Sequence, residues 1–285
     1  MGIGALPNAV CAALHGRRDL GLHTEMLTPG LVELMQAGVA NHARKTLHPG
    51  VGVFAFSMGD LNTYDFLDGN RGMEAHPVSY VNDPAVIARN DKMVSVNATL
   101  QIDLSGACCS EYLNGRQFTA SGGQLDFVRG AYGSDGGRSI IACHATAAKG
   151  TCSRIVARLD GPVTTPRNDV HIVVTEHGWA NLKGRSTGER ARALIALAAP
   201  EFREAWIDWP GMTLPDGMAL AADAATSAAR SSSAKASGAC SPAPGLKANG
   251  VVVVTASSNT AALAKWRRER CFRCWRIMAG SRSGL

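Results

Sequence analysis

The chain has 285 residues, 46% apolar and 18% charged, enough apolar side chain to bury one large core or two modest ones. No stretch of about 18 uncharged apolar residues occurs, which excludes a simple membrane-spanning helix. The net charge of +6 is concentrated late: residues 1–209 carry 19 basic and 20 acidic side chains, residues 210–285 carry 10 and 3, so no nucleic-acid-binding face is expected on the main body.

In chain order, "NAVCAALHG" (8–16) has helical spacing behind Pro7, a residue suited to a first helical turn. "DLGLHTEM" (19–26) reads as a short strand, and "GLVELMQAG" (30–38) as a helix closed by Gly38. "VGVFAFS" (51–57) is a strand and "LNTYDFLDG" (61–69) a helix. "KMVSVNATLQIDLSG" (92–106) is β-branched and alternating. "SGGQLDFVRG" (121–130) sets two glycines before a helix-like run. "RSIIAC" (138–143), "CSRIVARL" (152–159) and "DVHIVVTE" (169–176) read as strands, and "GERARALIALA" (188–198) as a helix. Strand and helix in alternation predict an α/β fold with an open, largely parallel sheet and flanking helices.

Beyond "PEFREAWIDW" (200–209) the composition shifts. "AADAATSAARSSSAKASGACSPAPG" (221–245) has almost no large apolar side chain and cannot offset ordering entropy, so residues 207–285 read as a low-complexity, basic, poorly ordered tail. Within it "GVVVVTASS" (250–258) is an isolated strand candidate, and "KWRRERCFRCWRIM" (265–278) is basic and aromatic. The start carries neither the basic n-region of a signal peptide nor a Ser or Thr at position 6 for myristoylation. With irregular spacing of the eight cysteines, that favours a reducing, cytoplasmic location. Cys271 and Cys274 form a lone CxxC without a second pair, and the eight histidines show no HExxH spacing, so no metal is expected.

Three stretches carry chemical interest. "GIGALPNAV" (2–10) is a glycine turn running into a helix, where amides suit a phosphate, carboxylate or oxyanion; Pro7 breaks the G-x-G-x-x-G pattern and disfavours a dinucleotide site. Glu25, after an apolar strand, is either a catalytic carboxylate or a solvated strand-end acid. Gly122 and Gly123 make either a plain turn or a place where backbone amides approach a ligand.

"GIGALPNAV", "LGLHTEM", "KTLHPG", "YVNDPAVIARNDKMVSVNATLQIDLSG", "GGQLDFVRGA", "VTEHGWANLKGRS" and "STGERARALIALA" together resemble the acetyl-CoA hydrolase/transferase family, close to its 4-hydroxybutyrate and acetate or butyrate CoA-transferases. The resemblance covers about residues 2–206 and corresponds to the carboxyl-terminal half of such enzymes. It implies a CoA-transferase-like domain over residues 1–206, with a small α/β insertion at about 45–90. It also implies CoA transfer between a short-chain acyl-CoA and acetate, butyrate or 4-hydroxybutyrate through a glutamyl-CoA thioester on Glu25. Ile3 and Gly123 would supply oxyanion amides, each such donor typically worth roughly 2.7–4 kcal/mol. Gly2, Ile3, Gly4, Ala5, Leu6, Thr119, Gly123 and Lys149 would contact CoA. Asp126, Phe127 and Arg129 would hold the loop and helix in place.

His23, two residues before Glu25, would share its side of the strand, although a carboxylate nucleophile needs no histidine base. Coenzyme A is implied as substrate, with no bound cofactor. The implied partners are an acyl-CoA and a carboxylic acid, and either a second copy of the chain or a separate amino-terminal half; neither nucleic acid nor membrane is implied. Acyl-CoA hydrolysis through the same intermediate, and a non-catalytic CoA-binding fragment, are the rival readings. Cys152 in "GTCSRIV" stands where the family has an aliphatic residue, and the tail departs from the family ending.

Overall fold

The computed structural model describes residues 5–113, 115–207 and 252–255. In chain order they form α1 (Ala5–Leu14), β1 (His23–Leu27), α2 (Pro29–Gln36), β2 (Gly52–Ser57), α3 (Leu61–Leu67), β3 (Met73–Ala75), α4 (Val78–Val81), α5 (Pro84–Ala88), β4 (Val94–Ala98) and β5 (Gln101–Asp103). There follow β6 (Cys108–Cys109), β7 (Tyr112–Leu113), β8 (Arg116–Gln117), α6 (Gln124–Gly133), β9 (Arg138–Ala142), β10 (Thr146–Ala147), β11 (Cys152–Ser153), β12 (Ile155–Val156), β13 (Ile172–Thr175), β14 (Gly178–Asn181), α7 (Thr187–Leu197), α8 (Pro200–Ile207) and β15 (Val252–Thr255). Among the described residues no helix is long and apolar enough to cross a membrane.

Helix starts follow local chemistry. Asp60 caps α3 by accepting the Thr63 amide at 3.0 Å, and Asp83 caps α5, with Pro84 in its first turn. Ser186 and Glu189 form a reciprocal capping box on α7. α2 opens with Pro29, and Gly38 beyond it adopts φ +70°, a left-handed conformation that glycine takes without steric cost.

Two sheets form the frame. One has five strands in the order β14-β13-β9-β4-β15, parallel except for β14; the other is the parallel trio β1-β2-β3. The Ile140–Ala142 part of β9 and the Ile172–Val174 part of β13 are continuously apolar and buried, as strands covered on both faces must be. Alternation divides their side chains between two cores. Ile140, Ala142, Ile172 and Val174 join Val94, Val96 and residues of α1 and α2. Ile141 and Val173 face the other way, onto Leu194, Ile195 and Leu197 of α7. A third cluster, Val53, Val81, Ile87, Met93, Phe127 and Ala131, ties α4, α5 and α6 to β2. The result is the mixed α/β, mostly parallel architecture that the alternation predicts.

The details depart from the sequence reading where tertiary contacts intervene. The first strand starts at His23 rather than 19, because the Leu20 amide bonds to Val39 O and the Leu22 amide to His42 Nδ1 instead of a neighbouring strand. The stretch 152–159 is two short strands, not one. At Arg154 the chain turns from β10–β11 pairing to β12–β5 pairing, held by the Arg154 amide on Ala145 O and its guanidinium on Leu100 O. The stretch 45–90 contributes β2 and β3, which continue the sheet begun by β1. The strand candidate at 250–258 does not stand alone: Val252–Thr255 pairs in parallel with β4 and lies against β1. A β-branched run there has the strand propensity that such pairing uses. The rest of the tail, including Cys240, Cys271 and Cys274, lies outside the described residues.

Candidate active site

Glu25 occupies the centre of β1 and is half-buried. It lies within the strand rather than after it. Its carboxylate is held by two neutral donors: Asn82 Nδ2 donates to Oε1 at 3.1 Å, and the Gly123 amide donates to Oε2 at 3.2 Å. These partners lie 57 and 98 residues away in sequence.

The two adjacent glycines meet separate demands. Gly122 has φ +57°, in the left-handed region. Gly123 has φ −83°, open to any residue, and its requirement is space. A Cβ there would lie 2.4 Å from Asn82 Nδ2 and 3.0 Å from Glu25 Oε2. Gly123 is also the N-cap residue of α6, a ten-residue helix, so the carboxylate meets the positive end of the helix dipole.

Asn82 is positioned from below. It follows α4, and the preceding Val81 carbonyl accepts a hydrogen bond from His23 Nε2 at 2.8 Å. His23 is fully buried, and burial pushes its imidazole down to about 4, so the ring is neutral near pH 7 and donates from Nε2. His23 and Glu25, two apart on one strand, thus hold Val81, the last residue of α4, and Asn82, which caps it. Asp126, in the first turn of α6, has its carboxyl raised, first by burial and then by the negative charge of Glu25. Phe127 is fully buried beside His23, at 6.2 Å between ring centroids, and Arg129 pairs with Asp169 at 2.9 Å.

The other expected site residues lie in α1, in the connection before α6, in the β10–β11 turn, or outside the described residues. Gly2, Ile3 and Gly4 lie outside the described residues, and α1 begins at Ala5. Leu6 packs against the core beside α2. Thr119 lies four residues before Gly123 in the same connection, its amide on Glu111 O at 3.2 Å. Lys149 is exposed at the tip of the β10–β11 hairpin, where Ala148 (φ 47°), Lys149 (φ 58°) and Gly150 (φ 96°) are all left-handed. Consecutive non-glycine residues in that region are strained, a condition that clusters at functional sites.

Asn82 was not singled out from sequence. It stands in "YVNDP", where Asp83-Pro84 signals a helix start, but nothing in the spacing places its amide on a carboxylate 57 residues earlier.

Known proteins of one family are similar to most of this chain. The profile of the acetyl-CoA hydrolase/transferase C-terminal domain matches residues 59–208. The 4-hydroxybutyrate coenzyme A transferase of Clostridium kluyveri is 51% identical over 206 residues, covering 72% of this chain and 48% of that protein. The succinyl-CoA:cyclohexane-1-carboxylate CoA transferase of Geobacter metallireducens is 48% identical over 205 residues, covering 71% and 47%. The crystal structure of RipA from Yersinia pestis superposes with a TM-score of 0.70 at 60% identity, covering 72% of this chain and 47% of that one. The chain therefore spans about half the length of the relatives it matches. On this combination of profile, identity and fold, the chain belongs to the acetyl-CoA hydrolase/transferase family.

Proposed function

We propose that this chain is the glutamate-bearing half of a CoA-transferase that exchanges CoA between a short-chain acyl-CoA and a carboxylic acid such as acetate, butyrate or 4-hydroxybutyrate. The observation that carries the reading is the Glu25 carboxylate suspended between the Gly123 amide and Asn82 Nδ2 at the head of α6. A carboxylate oriented by two neutral donors, with an oxygen lone pair still available, is placed to act as a nucleophile.

In the proposed cycle one Glu25 oxygen attacks the thioester carbon, the C–S bond breaks, and CoA leaves as thiolate, giving a mixed anhydride. The thiolate then attacks the Glu25 carbonyl carbon and expels the carboxylic acid as its anion, leaving glutamyl-CoA. An incoming acid reverses both steps, so the kinetics are ping-pong. During attack on the glutamyl carbonyl, charge builds on the side-chain oxygen that the Gly123 amide already faces. A fixed donor aimed at developing charge is the largest common source of rate enhancement. Ile3 is the proposed second donor. Ala5, Leu6, Thr119, Lys149 and residues 2–4 are proposed to line the CoA path, with the Lys149 ammonium toward a phosphate or the pantetheine. The other wall of the cleft is proposed to come from an amino-terminal lobe, whether encoded separately or contributed within a dimer.

The test is mass spectrometry of the chain after incubation with acetyl-CoA or butyryl-CoA. Trypsin releases Glu25 on the peptide from Asp19 to Arg44. A CoA adduct mapped to Glu25 by fragmentation, and cleaved by hydroxylamine, is the expected result. No adduct with or without an added amino-terminal lobe refutes the proposal. CoA release that is independent of acceptor acid assigns hydrolysis instead.

A further inference from the structure

A second cluster of chemically able side chains lies next to this site and plays no part in the proposed transfer. His48 stands in the turn before β2, Glu74 in β3 and His76 just after it. His48 Nδ1 is 3.3 Å and His76 Nε2 is 3.0 Å from the same carboxylate oxygen, Glu74 Oε2. All three donor atoms fall within 4.8 Å of one another, which no other trio of His, Cys, Asp or Glu achieves among the described residues. At metal–ligand bonds of about 2.0–2.2 Å, two ligands of one tetrahedral ion are roughly 3.3 Å apart, close to both distances here.

We propose that His48 Nδ1, Glu74 Oε2 and His76 Nε2 form a binding site for one borderline divalent cation of the zinc type, with water completing the shell. Two imidazoles and one carboxylate are a recurrent donor set for such ions. The far nitrogen of His48 carries the outer-shell contact that a ligating histidine needs. Nε2 lies 2.8 Å from the Tyr80 hydroxyl, and donation there leaves the Nδ1 lone pair free for a metal. The rings brace one another, with centroids 5.2 Å apart for His48–His76 and 5.0 Å for His76–Tyr80.

The site joins the turn before β2 to β3 and, through Tyr80, to α4, the helix that Asn82 caps at its C-terminus. An occupied site would thus brace the element that carries a donor to Glu25. Linear spacing could not reveal it, since the ligands are drawn from two segments 26 residues apart. The proposal is independent of the transfer chemistry.

The test titrates the full chain, stripped with a chelator, with Zn²⁺ by calorimetry and with Co²⁺ by absorption. The expected result is a site of one equivalent with a nitrogen–oxygen d–d band, distinct from any thiolate charge-transfer band at cysteines. His48→Gln/His76→Gln should lose that equivalent, binding about 100-fold or more weakly. Tyr80→Phe, which keeps all three ligands, should weaken binding about 10-fold with the band retained. No such band in the wild-type chain, or one unchanged in both variants, overturns the proposal.

Discussion

Gly123→Ala isolates the space requirement at the proposed nucleophile. Its φ of −83° suits alanine, so the backbone gains no strain. The new methyl carbon would lie 2.4 Å from Asn82 Nδ2, 3.1 Å from Asn82 Cγ and 3.0 Å from Glu25 Oε2. The amide must swing away, and the 3.1 Å bond to Glu25 Oε1 goes with it. A hydrogen bond to a charged group contributes about 1.5–3 kcal/mol, which at 1.4 kcal/mol per decade is roughly a 10- to 100-fold loss in the rate of glutamyl-CoA formation. The assay is the time course of the CoA adduct on the tryptic peptide containing Glu25, with circular dichroism to show that the fold persists. Labelling within threefold of wild type, on a folded protein, would refute the claim that Gly123 is there to let Asn82 and an amide converge on one carboxylate.

Other expectations follow from the same geometry. Asn82→Ala should slow labelling by a comparable 10- to 100-fold while leaving the melting temperature unchanged or raised, since its buried Oδ1 has no partner in the fold and is removed with the amide; calorimetry beside the adduct assay checks both arms. Gly130→Ala should destabilise without touching the carboxylate, because its Cβ would fall 2.4 Å from Ile87 Cγ2 where α5 crosses α6; overpacking of this kind costs about 1–3 kcal/mol, read by urea unfolding. His23, His42 and His171 are buried with imidazoles pushed down to about 4, chiefly by burial. A depressed histidine disfavours the proton in the fold, so its contribution is intact above about pH 6.5 and lost as pH falls from there toward 4, at roughly 3 kcal/mol per residue. Urea midpoints should drop steeply over that window, and less steeply for His23→Gln; a flat profile would contradict the assignment of neutral buried rings.

How much of this was legible in the sequence depends on what holds each element. β2, β9, β13, α3, α6 and α7 are set by local patterning, and the sequence places each within a few residues. The two-residue strands β6, β7, β8, β10, β11 and β12 are not, because their pairing is decided by partners far along the chain: the Cys108 amide bonds to Thr165 O, and β12 finds its partner in β5. The pair Gly122-Gly123 was visible as a signal with two readings. Geometry adds that one glycine is needed for its backbone angle and the other for its missing side chain. Glu25 was likewise a signal with two readings, and the resemblance alone favours the nucleophile, since an acid in a short strand has an ordinary explanation. Asn82 was invisible, because its importance lies in one contact across 57 residues.

The make-up of the site bears on the role proposed for its carboxylate. Among the described residues no salt bridge reaches Glu25; its partners are an amide side chain and a main-chain N–H, both neutral. Had a buried arginine or lysine held it, acylation would erase the carboxylate's charge and strand an unpaired cation, a cost of several kcal/mol on each turnover. Neutral donors avoid that asymmetry. An N–H that binds a carboxylate oxygen also binds an anhydride or thioester carbonyl oxygen, and binds most strongly the oxyanion between them. His23 fits the same logic. Kept neutral by burial, it fixes α4 through Val81 O and adds no charge beside a group whose own charge comes and goes in the proposed cycle.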